Sequence, residues 1–385
     1  MTTWKVVHLA DVADEVTVGF VGPMRSEYRN EGVPFLRSQN VKSHRIDPDG
    51  MMRVSAEFHR TIAKSSLRPG DVVTVRTGAP GTSAVIPDWL PDANCADLVI
   101  TRPGPELDPR WLSYYLNSAA QGYISSRLVG AVQQHFNVGE AKSMKLPLPT
   151  LPEQQAIAEV LEALDDKIAV NARIAEASDA LVRATFASLG SSAKTRLGDL
   201  CESVRDQVAP SPGQAYVGLE HVPRRHMWLG EWGESDDVTS AKARFERGDV
   251  LFGKLRPYFH KVVSAPMSGI ASTDILVLRA KDPELTGFVL AAAASDAVVG
   301  ACSAASAGTK MPRTNWSDLA ACEVPWPSDA EARRLSRTVI GLRDLVEALI
   351  RESHTLAELR DTLLPALMDG TIRVKDVVAA AEEVL

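Results

Sequence analysis

Two stretches of this chain, 178 residues apart, carry the same landmarks in the same order. Leu146-Pro147-Leu148-Pro149 recurs as Val324-Pro325-Trp326-Pro327. The same offset of 178 pairs Glu153 with Glu331, Asn137 with Asn315, Gly130 with Gly308, and Gly70-Asp71-Val72 with Gly248-Asp249-Val250. Further upstream the register drifts by a few residues, so that 35–41 (FLRSQNV) lies against 216–222 (YVGLEHV). A period this long is far outside the solenoid range and means two copies of a whole domain with its attached helix. A chain of two similar halves is expected to face a partner of two similar halves.

The length of 385 residues suits two globular units with connectors, and 45% hydrophobic content is ordinary for a globular protein. The N-terminal Met1-Thr2-Thr3-Trp4-Lys5 has no apolar signal core, and the apolar run from Phe288 to Ala294 is too short to span a bilayer. Cys95, Cys201, Cys302 and Cys322 lie far apart, with neither zinc-ligand nor disulfide spacing. A cytoplasmic protein without membrane association is the expectation. Net charge is −7, which argues against a free-standing DNA binder. The acid is unevenly placed: residues 1–150 carry net +1 and 194–327 net −1, while 151–193 carry −4 and 328–385 carry −3. Within 25–76, ten basic residues face six acidic ones, an excess that suits phosphates as well as it suits a mixed solvated surface.

Short β-branched runs bounded by Gly, Pro and Asp predict strands at 72–75, 83–86 and 98–101, with a helix starting at Trp111 after Asp108-Pro109. The second copy repeats that order at 249–252, 261–263 and 275–278, followed by a helical stretch from Leu285. After each Pro-x-Pro a long helix is expected. In the first, Pro152 and Glu153 occupy the first turn, and Ile157, Leu161, Leu164, Ile168, Asn171, Ala175, Ser178, Val182, Thr185 and Leu189 alternate by four and three. In the second, Leu335, Leu342, Leu349, Leu356 and Leu363 recur every seven. Either Thr338, Leu345 and Leu359 or Val339 and Val346 fill the other seam position, and the helix stops between Pro365 and Gly370. Heptads imply helix packed on helix, and Asn171 in the seam reads as a register-setting residue or as a partly exposed one. Each helix of roughly 35 residues would run about 50–55 Å. The predicted fold is therefore α/β (α+β). Two domains with mixed short-strand sheets and helices are separated by two long antiparallel coiled-coil helices, with a pseudo-twofold internal repeat. The expected boundaries are 1–148 and 191–327 for the domains, 149–190 and 328–375 for the helices, and 376–385 for a tail.

Catalytic motifs are missing. Gly78-Ala79-Pro80-Gly81-Thr82-Ser83 lacks the spacing and lysine of a phosphate loop, and no cofactor-binding methyltransferase motif is found. His221 and His226 share a loop without nearby cysteine, so no metal is expected. A nuclease-like pattern forced from Pro91-Asp92 and Glu140-Ala141-Lys142 has too long a gap, and the second copy keeps neither part. What remains are three polar, basic and aromatic loops at matching places. The first holds Arg37, Gln39, Asn40, Lys42 and His44 against His221, Arg224 and Arg225. The second holds Arg76 and Thr77 against Lys254, Arg256, Tyr258 and Lys261. The third holds Gln133, Gln134 and His135 against Lys310 and Arg313. Arg, Gln, Asn and Glu read base edges. A shared frame whose loop letters diverge suits two modules reading different sequences, whereas any one loop alone reads as a solvated turn.

These features resemble the specificity subunit of type I restriction–modification systems, over nearly the whole chain. Residues 146–168 (LPLPTLPEQQAIAEVLEALDDKI) look like the family's central spacer helix and its start. Residues 363–374 (LLPALMDGTIRV) resemble the end of its distal spacer, and 254–261 (KLRPYFHK) is similar to a loop of its target-recognition domains. The second Pro-x-Pro is followed by Ser328-Asp329-Ala330-Glu331 without the usual Pro-Glu-Gln, which predicts a less regular start to the second helix. The resemblance implies a non-catalytic subunit with two target-recognition domains, each reading one half of a split, non-palindromic double-stranded DNA site. Leu161, Leu164, Ile168, Asn171, Leu335, Leu342, Leu349 and Leu356 would then belong to spacers that hold the domains apart and dock two methyltransferase subunits. Those partners would use S-adenosylmethionine on flipped adenines, with a restriction subunit joining for cleavage. The chain itself would hold no cofactor. A modification-only or other phage-defence methylation system is the alternative setting, and a coiled-coil scaffold without nucleic acid is the alternative class.

Overall fold

The computed structural model describes residues 4–128, 135–190, 193–305 and 311–376. Two compact units form, Met1–Asp166 with Leu356–Leu385, and Lys167–Thr355. The two long helices, Leu151–Ala187 and Asp329–Met368, each give part of their length to each unit.

In the first unit a four-stranded antiparallel sheet runs in the order Ser83–Val85, Val72–Val75, Leu98–Pro103, Ala13–Val18. In the second unit Val262–Ser264, Val250–Gly253, Ile275–Ala280 and Cys201–Ser203 take the same places. The apolar residues at 72–75 and 250–253 are buried throughout, as central strands demand. Each unit adds a five-stranded mixed sheet built on one parallel pair. Val33–Leu36 beside Ala93–Cys95 corresponds to Ala215–Val217 beside Gly269–Ala271. The fifth strand differs: Tyr28–Arg29 extends the first sheet beyond Met52–Val54, whereas Gln207–Val208 extends the second beyond Lys242–Phe245, at the opposite edge. A two-stranded ribbon closes each copy, pairing Lys5–His8 with Lys145–Leu148 and Lys194–Arg196 with Glu323–Pro325. The Pro-x-Pro motifs therefore sit on or next to ribbon strands, where a missing N–H is tolerated.

The repeat extends to single bonds. Gly70 and Gly248 both take positive φ (87° and 94°), a turn that only glycine adopts at little cost. Their N–H groups donate to Ile86 O and Ala265 O, each at 2.9 Å. Asp71 Oδ2 and Asp249 Oδ2 then accept the N–H of the residue three back, Arg68 and Glu246, at 2.9 and 2.8 Å. Both carboxylates are buried against an arginine of the neighbouring strand, Arg102 at 3.8 Å and Arg279 at 2.7 Å.

Both long helices begin in the same way. Thr150 N–H and Oγ1 donate to Glu153 Oε2 (3.0 and 2.8 Å), while Ser328 Oγ donates to Glu331 Oε2 (2.7 Å) and accepts from Glu331 N–H (3.3 Å). These are Ser/Thr-x-x-Glu caps. The irregular second start expected from the missing Pro-Glu-Gln is thus corrected, because the cap needs only the hydroxyl and the glutamate. Gln154, the motif's glutamine, is fully buried; its amide donates to Glu106 O and Pro149 O and its oxygen accepts Asp108 N–H, holding the helix Pro109–Asn117 by its N-terminus.

All ten positions of the first heptad series are buried or half-buried. In the second, Val339 and Val346 are fully buried whereas Leu345 and Leu359 are 46% and 45% exposed and Thr338 is exposed, which settles the second seam position in favour of the valines. The helices pair antiparallel in each unit. In the first, Asp165 meets Arg360 (2.6 Å) while Ile157, Ala158 and Leu161 share a core with Leu367 and Met368. In the second, Asn171 Nδ2 donates to Leu349 O, Glu352 Oε2 and Ser353 Oγ (3.4, 2.8 and 3.2 Å) while Val182 and Phe186 share a core with Ala332 and Leu335. Asn171 is buried with its donors used, as a register residue should be. Residues 287–293 form the buried interior of the helix Thr286–Ala293, and among the described residues no single helix is long and apolar enough to cross a membrane.

Candidate nucleic-acid interface

Phe136 N–H donates to Arg76 O (3.1 Å), and the equivalent Thr314 N–H donates to Lys254 O (3.0 Å), so the third loop is tied to the second in both. An aspartate then bonds an arginine, but the arginine comes from different loops. Arg76 of the second loop bonds Asp97, whereas in the other copy Arg313 of the third loop reaches Asp274 (3.1 Å). The first loop is held by its own polar side chain. Asn40 Oδ1 accepts Arg37 N–H (3.1 Å), and His221 Nδ1 accepts Gly218 N–H (3.0 Å) at the equivalent place.

Several polar residues singled out in the sequence thus face inward. Asn40 is fully buried, with its amide also donating to Asp47 O and Asp49 O. Arg76 is bonded to Asp97, Phe136 O and Asn137 Oδ1. Thr77 Oγ1 and His135 Nδ1 bond each other at 2.6 Å. His44, at positive φ (65°), stacks on Tyr114 with ring centroids 4.0 Å apart. Lys261 donates to Leu219 O, and its burial pushes the ammonium below its ordinary range. These bonds hold the side chains within the loops that carry them.

Others point outward. Gln39 and Lys42 are exposed in the first copy, and Arg37 is half-buried with Nη2 donating to Gly50 O (2.9 Å). In the second copy Arg224 is exposed and lies 3.9 Å above the Phe259 ring, with Arg256 at 5.7 Å from the same ring. Tyr258 is 55% exposed, Arg225 and Arg313 are exposed, and Lys254 is half-buried. Arg225 is held by Asp296 at 3.2 Å. Gln133, Gln134 and Lys310 lie outside the described residues. A cavity of about 320 Å³ opens beside Lys254, rimmed by Arg205, Gln207, Ser272 and Thr273. Sequence reading missed Arg205 and Gln207. Their only signal was their place just past the strand Cys201–Ser203, where the first copy has Phe20 packed on Phe58 at 5.5 Å.

Among the described residues no three His, Cys, Asp or Glu side chains are grouped to hold a metal, and the four cysteines are buried thiols. What the geometry offers is two faces of fixed loops carrying guanidinium, ammonium, amide and aromatic groups. Such faces suit phosphates and base edges.

Residues 1–177 match the family model described as the type I restriction modification DNA specificity domain. A chain of Methanocaldococcus jannaschii, named for the MjaX specificity subunit of a type I restriction enzyme, is 21% identical over 406 residues, spanning 97% of this chain and 94% of its own length. The EcoDI type I restriction enzyme specificity subunit of Escherichia coli is 33% identical over 131 residues, 32% of this chain and 29% of its own. The fold is that of the type I restriction–modification S subunit from M. genitalium, with a TM-score of 0.58 at 16% identity over 95% of this chain and 96% of that one. The chain is similar to type I restriction–modification specificity subunits, over residues 1–177 by the family model and over nearly its whole length by the MjaX relative.

Proposed function

We propose that each copy is a target-recognition domain reading one half of a bipartite, non-palindromic DNA site, and that the helix pair docks two adenine-N6 methyltransferase subunits and a restriction subunit. The observation that carries this reading is the repeat itself. The same turns, ion pairs and loop ties recur in both copies while the outward side chains differ: Gln39 and Lys42 in one, Arg224, Arg256, Tyr258 and Arg313 in the other. A shared frame with different tips suits two different half-sites; identical tips would suit a palindrome. Domains of 1–148 and 191–327, spacers of 149–190 and 328–375, and action in the cytoplasm complete the proposal.

Docking is supported by apolar residues left exposed on long helices. Val170, Ile174 and Leu181 on the first helix, and Leu345 and Leu359 on the second, sit outside the seam. The acid on the same segments and the net charge of −7 support binding to DNA mainly in the complex. Co-expression with the cognate methyltransferase, followed by genome-wide mapping of methylated adenines, tests the reading. A split motif with unlike halves is expected, and its absence overturns the proposal. A coiled-coil scaffold without a nucleic-acid role would leave methylation unchanged.

A further inference from the structure

The recognition loops are fastened to carboxylates of the first long helix, and in both units the fastening passes by a histidine held at positive φ. In the first unit His44, at the end of the first loop, stacks on Tyr114. Tyr114 Oη donates to Asp165 Oδ2 at 2.7 Å, and Arg360 Nη1 donates to the other oxygen at 2.6 Å. In the second unit Met227 N–H, one residue past the first loop, donates to Asp179 Oδ1 at 2.8 Å. Arg183 Nε donates to Asp179 Oδ2 (2.7 Å), and Arg183 Nη1 donates to Ala294 O (2.7 Å). His260 Nε2 meets that same carbonyl at 2.7 Å, and His260 O accepts Arg225 N–H at 2.9 Å. His260 is 2% exposed and has φ 56°. Asp165 and Asp179 are two heptads apart, so they hold the same heptad position.

Bonds to an ionised carboxylate are short and strong, and a reading side chain misplaced by about 1 Å loses its base contact. Apart from the backbone N–H of Arg225, neither chain of contacts includes an exposed loop residue, and no reading side chain is touched. We propose that Tyr114 with His44, and Asp179 with Arg183 and His260, are positioning residues that fix each recognition loop to the helix and so set the fidelity with which that loop's half-site is read. This rests on the bipartite reading proposed above.

The test uses the full chain co-expressed with its methyltransferase subunits in a host lacking adenine methylation. Methylation is mapped at cognate sites and at sites mismatched in one half. The unaltered complex must first give a split motif; if it does not, the bipartite reading fails before this one is reached. Tyr114→Phe keeps the stack and removes the bond to Asp165. It is expected to raise methylation of mismatches in one half-site about tenfold, towards the low end of what one displaced base contact is worth, and to leave the other half unchanged. Asp179→Asn is expected to do the same in the other half only. His44→Ala should follow Tyr114→Phe, whereas His44→Phe, which restores a stacking ring, should recover fidelity. If Asp179→Asn fails to fold, Arg183→Lys, which keeps the charge and loses the fork, is measured in its place. Unchanged mismatch ratios, equal relaxation of both halves, or uniform loss of methylation with a lowered Tm would each overturn the proposal.

Discussion

His44, a polar loop residue by its sequence setting, is half-buried against Tyr114 in the fold. Burial holds its imidazole well below the ordinary 6.5, at about 4; nearby Asp165 opposes the shift and Arg360 adds to it. The unfolded chain therefore takes up a proton between about 4 and 6.5 that the folded chain refuses. Stability should rise with pH across that window and be flat in this respect above it. The contribution is at most roughly 3 kcal/mol. Urea denaturation at pH 7 and pH 5 checks this, since His44→Gln should reduce the difference between the two. The buried aspartates give a second residue-scale expectation. Arg279→Ala leaves Asp249, 4% exposed as a side chain, without its bidentate partner. The loss should be about 3 kcal/mol, as for other broken buried pairs. Arg279→Lys should recover only part of it, because a lysine cannot bond both oxygens as the planar fork does. Equal stability of the alanine and native chains would refute the importance of that pair.

Among the elements, the long helices separate seam from surface within one turn. Val346 is fully buried and its neighbour Leu345 is 46% exposed. Val346→Asp should destabilise by several kcal/mol, the cost of an unpaired buried carboxylate. Leu345→Asp should stay within about 0.5 kcal/mol by the same denaturation measurement. If Leu345→Asp also lowers methyltransferase capture in a pull-down, the docking proposal gains; if capture is unchanged, that residue is not part of the docking surface. Heptad counting alone left Val339 and Val346 level with Thr338, Leu345 and Leu359. A leucine every seven residues fixes one seam position, and the second depends on which flank of the helix the partner covers. In the second unit Gly287 lies against Ser336 of the long helix, where an added Cβ would come within 2.3 Å of Ser336 O. That close approach fits a helix face on which Val339 and Val346 are covered. The Ser/Thr-x-x-Glu caps were readable at both starts, from Thr150-Glu153 and Ser328-Glu331.

For the molecule as a whole, the proposal makes the copies exchangeable. Replacing residues 1–145 by the corresponding domain of a relative should change one half of the methylated motif and leave the other intact. Long-read methylome mapping checks it, and simultaneous change of both halves would remove the modular account. Repetition, long helices and the main strands could be derived from the chain by itself, because periodicity, caps and the order of anchors are properties of neighbouring residues. Gly70 and Gly248, Asp71 and Asp249, and the heptads all announced their places in this way. The loops could not be read so. Asn40, His44 and Arg76 are polar residues in polar loops, and sequence offers no distinction between them and Gln39 or Lys42. Which of them turn inward was decided by groups distant in the chain: Tyr114 beneath His44, Asp97 and Asn137 around Arg76, the carbonyls of Asp47 and Asp49 around Asn40. A polar side chain loses its water when the fold buries it and must then find partners there, and only the tertiary structure decides which residues are buried and who the partners are.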